Sequence, residues 1–207
     1  PRAMRNGIIV TVLFACLIGS ALLFYAGWEL IIVGLLCVLF AFLYTTGPYP
    51  LSYNGWGDVL VIVFFGFVPV GGTYYVQALT WTSDTTVASL ICGLLIDTLL
   101  VVNNYRDREA DARSGKRTVI VRFGEKFGRY LYLMLGVAAS LLCFWFFFEG
   151  HVFAALLPLL YLIPHVLTWR RMVQIHSGKK LNSILGETSR NMLLMGILLS
   201  IGFLIRH

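Results

Sequence analysis

Charge is scarce in this sequence. Asp, Glu, Lys and Arg make up 13% of the 207 residues, while 58% are hydrophobic; soluble domains carry about a quarter charged residues. With a mean hydropathy of +0.81, so much apolar surface cannot be hidden in a water-soluble core, which leaves a polytopic membrane protein. Acidic residues are the scarcer sign, ten against sixteen basic, for a net charge of +6. The basic residues nevertheless sit between long uncharged runs and form no continuous face, so nucleic acid is not an expected partner. Cys16, Cys37, Cys92 and Cys143 each lie inside an apolar run, and none belongs to a C-x-x-C pair. That excludes clustered zinc ligands and leaves them as small residues on helices. His151, His165, His176 and His207 show no ligand spacing. The sequence also lacks the short alternating segments of a β-barrel, a sustained heptad, an internal repeat and a signal peptide. It opens on Pro1, and "PRAMRNG" reads as a chain already under way, so an N-terminal truncation is expected.

What is present is a series of long apolar runs. A helix needs about 20 apolar residues to cross the hydrocarbon core, and helices satisfy their own backbone in lipid. The runs predict an all-α protein with membrane helices near 7–26, 29–46, 58–79, 85–104, 129–148, 152–169 and 190–206. Seven spans sort the basic residues into two sets. Fifteen of the sixteen, from Arg2 and Arg5 through the 105–128 and 170–189 loops with their flanks, fall on one side, and Arg206 alone on the other. The excess marks the cytoplasmic face, which places the 103–129 segment in the cytoplasm and the C-terminus across the membrane.

The stretch "NNYRDREADARSGKRT", from Asn103 to Thr118, concentrates charge after an almost wholly apolar run. If the helix of 85–104 continues into the cytoplasm, Asn103, Asp107 and Asp111 recur at i, i+4 and i+8. Each step of four turns about 40° past a full circle, so the three side chains form one stripe. Such a stripe suits magnesium, a hard ion commonly held by one or two carboxylates plus substrate phosphates. Arg106, Arg108, Lys116 and Arg117 supply charge for a diphosphate, and Gly115 allows a sharp turn. The spacing alone also fits solvated ion pairs on a helix surface. "SGKRT" is not a phosphate-binding P-loop, because Ala110 stands where that motif needs glycine. Asp97, about 15 Å of helix below Asp107, has two open readings: the wall of a water-filled cavity, or a hydrogen bond to a neighbouring helix.

The segment from Asn103 to Gly124 resembles the second aspartate-rich motif of the UbiA superfamily of membrane prenyltransferases, closest to the branch acting on 1,4-dihydroxy-2-naphthoate. Asn103, Asn104, Arg106, Asp107, Asp111, Gly115, Lys116 and Thr118 match its pattern, and "YTTGPYPLSYNGWGD" at 44–58 and "FFGFVPVGGTYYVQ" at 64–77 agree as well. The resemblance implies a single domain over 1–207, seven helices of a nine-helix bundle around a central cavity, with two helices and the first motif preceding Pro1. It implies Mg2+ as cofactor and, as partners, a polyprenyl diphosphate, 1,4-dihydroxy-2-naphthoate and the bilayer of a bacterial cytoplasmic membrane. The expected reaction joins the prenyl group to the ring with loss of CO2 and diphosphate, giving demethylmenaquinol. Asp107, Asp111 and Asn103 are the implied metal ligands, with Asp107, Asp111 and Lys116 catalytic. Lys116 and Arg106, then Arg117 and Arg122, are implied at the diphosphate, and Asn103 and Asn104 are implied as substrate-binding residues. Tyr44, Tyr49 and Asn54 are placed at the acceptor, with an interfacial aromatic belt as the other reading of the tyrosines. Thr73, Tyr74 and Gln77 read as helix-packing residues. Two rivals remain: a superfamily member with another acceptor, such as 4-hydroxybenzoate, and a transporter or lipid-binding protein whose basic loop holds an anion.

Overall fold

Seven helices follow one another along the chain in a computed structural model that describes residues 2–205. Six are long and apolar enough to cross a membrane: α1 (Arg2–Ala26), α3 (Gly57–Ala78), α4 (Ser83–Arg113), α5 (Val119–Phe148), α6 (Val152–Ile175) and α7 (Lys179–Leu204). The remaining helix, α2 (Glu29–Thr45), is apolar but has only 17 residues. No strand occurs among the described residues. Arg206, the lone basic residue expected across the membrane and the last residue of the 190–206 span, lies outside the described residues.

The polar ends of several helices run further than hydropathy indicated. The α4 helix continues to Arg113, α5 starts at Val119, and α7 starts at Lys179. Hydropathy registers only the stretch that needs lipid, whereas a helix can continue into the polar layer. Local chemistry sets the real ends. The Thr82 hydroxyl caps α4 by accepting from the Thr85 amide at 3.1 Å, and the Thr118 hydroxyl caps α5 by accepting from the Val121 amide at 3.3 Å. Gly124, at φ +87, breaks the first turn of α5 from the rest.

Helix α4 is the spine. Its Val101, Val102 and Tyr105 pack with Ile120 and Tyr132 of α5, Met172 of α6 and Ile184 of α7. Two to three turns earlier, Ile91 and Leu95 meet Ala139, Phe146, Tyr161 and Met195 of the same helices. In lipid, apolar contact gives helices little reason to associate, and close backbone approach matters more. The crossing of α3 with α4 shows it: a Cβ on Gly66 would sit 2.5 Å from the Ser89 carbonyl oxygen and 2.8 Å from the Gly93 Cα. Around this crossing α3 widens into a π-helix from Ile62 to Gly71, which contains Pro69. Helices α1 and α2 show Leu13, Phe14, Leu35 and Leu39 on the outside, as lipid-facing helices do.

Candidate active site

The extension of α4 carries Asn103, Asp107 and Asp111 out of the apolar part of the bundle in one unbroken helix, as the stripe required. Arg106 grips Asp107 through Nε to Oδ1 at 2.7 Å and also donates through Nη2 to the Asn103 amide oxygen at 2.8 Å. Its Nη1 reaches Asn182 of α7 at 2.9 Å. Lys116 donates to the Asp111 carboxylate at 3.3 Å. Asp107 keeps 39% of its side chain exposed and Asp111 13%. Asp107 therefore opens toward solvent and Asp111 is largely covered, while each touches a cation able to bind phosphate.

Gly115 makes the turn that returns Lys116 to the stripe. Its φ is +77, a value glycine adopts without strain, and the Lys116 amide then bonds the Asp111 carbonyl at 2.9 Å. One residue on, the Arg117 amide donates to the Tyr53 carbonyl at 2.7 Å. Arg122 donates to the Asn54 carbonyl at 2.7 Å and to the Arg117 carbonyl at 3.0 Å. The α2–α3 loop is thus seated on the motif. Arg122, expected at the diphosphate, is engaged as a strut between backbone segments. The Asn54 side chain is likewise local, donating to the Pro50 carbonyl at 2.8 Å. The Arg117 and Tyr49 side chains make no polar contact among the described residues, and Tyr49 is exposed. Arg108 is not free for an anion either: it pairs with Glu125 at 3.1 Å and lies over the Tyr105 ring. Glu125 also pairs with Arg129, and His176 lies 2.9 Å from it.

Beneath the loop is a small pocket walled by Tyr44, Ser52, Asp58, Asn104, Lys116 and Thr118. It unites three expected residues, Tyr44, Asn104 and Lys116, with Asp58, which the sequence did not single out. One oxygen of Asp58 and one of Asp97 have no hydrogen-bond partner among the described residues. Asp97 is 1% exposed, and the two carboxyls are near enough to interact electrostatically. The reading of Asp97 as a hydrogen-bond donor or acceptor to a neighbouring helix finds no partner there. The signal available in advance was only the rarity of a carboxyl in an apolar run.

No three His, Cys, Asp or Glu side chains converge as a metal cage among the described residues. Two carboxylates and an amide oxygen on one helix still fit a magnesium ion that completes its shell with water and substrate phosphate oxygens.

The family comparison bears on the whole arrangement. The model of the UbiA prenyltransferase family matches residues 2–201. The chain belongs to that family. Among UbiA relatives, the 1,4-dihydroxy-2-naphthoate octaprenyltransferase of Haemophilus influenzae is 35% identical over 99% of this chain and 68% of its own length. The protein of the same name from Escherichia coli is 38% identical over 69% of this chain and 48% of its own. That of Bacillus subtilis is 26% identical over 100% of this chain and 67% of its own. The chain thus spans from about half to about two thirds of the relatives it matches. No solved structure matches it.

Proposed function

We propose that the protein to which this UbiA-family chain belongs transfers a polyprenyl group from a polyprenyl diphosphate to 1,4-dihydroxy-2-naphthoate at the cytoplasmic face of a bacterial membrane. The allylic C–O bond breaks and the diphosphate leaves with the electron pair. The ring carbon bearing the carboxylate forms the new C–C bond. The bond to that carboxylate then breaks, its electrons return to the ring, and CO2 and demethylmenaquinol result. The observation that carries this reading is the stripe of Asn103, Asp107 and Asp111 with Arg106 and Lys116 seated on the two carboxylates.

Asp107, Asp111 and Asn103 would hold Mg2+, which when bound neutralises charge on the leaving diphosphate. Arg106 and Lys116 are placed to take diphosphate oxygens directly. The apolar helices exclude water from a carbocation-like centre. Tyr44 and Asn104 line the narrow recess beside Lys116, about 10 Å³ and too small for an aromatic ring, so they border the site and the acceptor lies outside that recess. The α2–α3 loop covers the recess, held there by Arg122. A first aspartate-rich motif on two further helices is part of the proposal.

The test uses the complete protein in membranes, a labelled polyprenyl diphosphate and either 1,4-dihydroxy-2-naphthoate or 4-hydroxybenzoate, with and without magnesium. Magnesium-dependent product with naphthoate, lost in Asp107→Asn, supports the proposal. Product with 4-hydroxybenzoate alone keeps the chemistry and changes the acceptor. Transfer to neither from folded protein sinks it.

A further inference from the structure

A groove of about 480 Å³ lies between α6 and α7. On α6, Leu167, Arg170, Arg171 and Gln174 line it at helical spacing, about 180° around the helix from His165 and Met172, which are buried. It therefore opens on the outer surface of the bundle, turned away from the aspartate stripe. Two contacts set the register of its far wall: Asn191 donates to the Thr168 hydroxyl at 2.9 Å, and Arg171 pairs with Glu187 at 2.6 Å. That register puts Arg190 roughly level with Thr168, about a turn deeper than the Arg171 rim.

Charge and depth together characterise the groove. Three arginines, Arg170, Arg171 and Arg190, face one carboxylate, Glu187, which is already taken by Arg171. Arg170 and Arg190 have no hydrogen-bond or ionic partner among the described residues. Arg190 is exposed where the polar start of α7 gives way to its apolar stretch, so its guanidinium stands at the interface, within reach of an anionic headgroup. Below the arginines the wall turns apolar. Leu167 and Pro164 lie about 4 and 9 Å further along α6 from Arg170, toward the bilayer interior.

We propose that this groove binds an anionic phospholipid, its phosphate between Arg170 and Arg190 and an acyl chain along Leu167 and Pro164. A soluble anion would satisfy the arginines but leave the apolar wall unused. A zwitterionic lipid would bring no net charge to the two unpaired cations. Two basic side chains near a membrane surface, at ordinary strength each, together amount to about 30-fold in affinity.

The test adds phosphatidylglycerol or phosphatidylcholine with matched acyl chains to the complete protein in detergent and counts bound lipids by native mass spectrometry. Phosphatidylglycerol should bind at least tenfold more tightly than phosphatidylcholine. Arg170→Gln with Arg190→Gln should weaken it about 30-fold, whereas Lys126→Gln, a charge removed elsewhere on the same face, should not. Leu167→Trp keeps the charge, fills the groove and should also weaken binding. Unchanged thermal unfolding shows that either variant is folded. Equal binding of the two lipids, or a double variant that binds like the parent, overturns the proposal. So does displacement of the lipid by millimolar inorganic phosphate or by stoichiometric prenyl diphosphate, which would make the groove a soluble-anion or substrate site.

Discussion

Asp111 illustrates how much one side chain does here. It ends the stripe, its backbone carbonyl closes the turn at Gly115, and its carboxylate holds Lys116 at 3.3 Å. Asp111→Asn keeps the shape and removes the charge. In the complete protein, prenyl transfer should fall by about two orders of magnitude or more, as losing one electrostatic contact to a leaving group does, while the unfolding midpoint barely moves. Full activity in that variant would remove Asp111 from the site. Arg122 should behave differently, because its guanidinium binds the Asn54 and Arg117 carbonyls. Arg122→Ala should raise KM for the aromatic acceptor severalfold and leave KM for the prenyl diphosphate nearly unchanged. A rise in the donor KM alone would return Arg122 to the diphosphate. The stripe of Asn103, Asp107 and Asp111 was legible in the sequence because their spacing on a helix is a geometric consequence of 3.6 residues per turn, whereas Lys116 reaches it only through the turn at Gly115. The role of Arg122 was not, because its partners are backbone carbonyls, one of them 68 residues away, and carry no residue identity to read.

Helices meet in this bundle where side chains are smallest. At the α3–α4 crossing, a methyl group on Gly66 would collide with backbone atoms of Ser89 and Gly93, which cannot rotate away. Gly66→Ala should therefore destabilise the protein by about 1–3 kcal/mol, the usual cost of overpacking, read as a lower unfolding midpoint in detergent. Gly196, in α7, has nothing within 4 Å of where a Cβ would stand. There Ala should be neutral or stabilising by up to about 1 kcal/mol. If both variants behave alike, the close crossing is not what holds α3 in place. The existence of these helices followed from hydropathy, but the lengths of α4 and α7 did not. Their polar turns are stabilised by side-chain contacts such as Arg106 with Asn182 at 2.9 Å and Arg171 with Glu187 at 2.6 Å, which an apolar window cannot register.

Across the whole molecule, the loops sort by membrane face. Arg117 bonds the Tyr53 carbonyl, Arg106 reaches Asn182, and Arg129 meets His176 at 3.1 Å. The α2–α3, α4–α5 and α6–α7 connections therefore gather at one end of the bundle. At the other end, the Trp145 indole donates to Asp84 at 2.8 Å. The basic excess at the first end supports the proposal that it faces the cytoplasm. In a variant without native cysteines, Ser114→Cys should react with an impermeant thiol reagent only after cells are opened, and Thr80→Cys in intact cells; the reverse pattern would invert the topology. Sequence alone determined the class of the molecule, its membrane character and the residues of the aspartate stripe, because hydrophobicity and helical period are local properties of consecutive residues. Tertiary structure alone decided the rest: the loop seated on the motif, the pocket where Asp58 meets Asn104 and Lys116, and the groove that pairs Arg170 with Arg190. Each of these joins residues far apart in the chain, and such meetings are set by how helices cross and in what register, which no short stretch of sequence encodes.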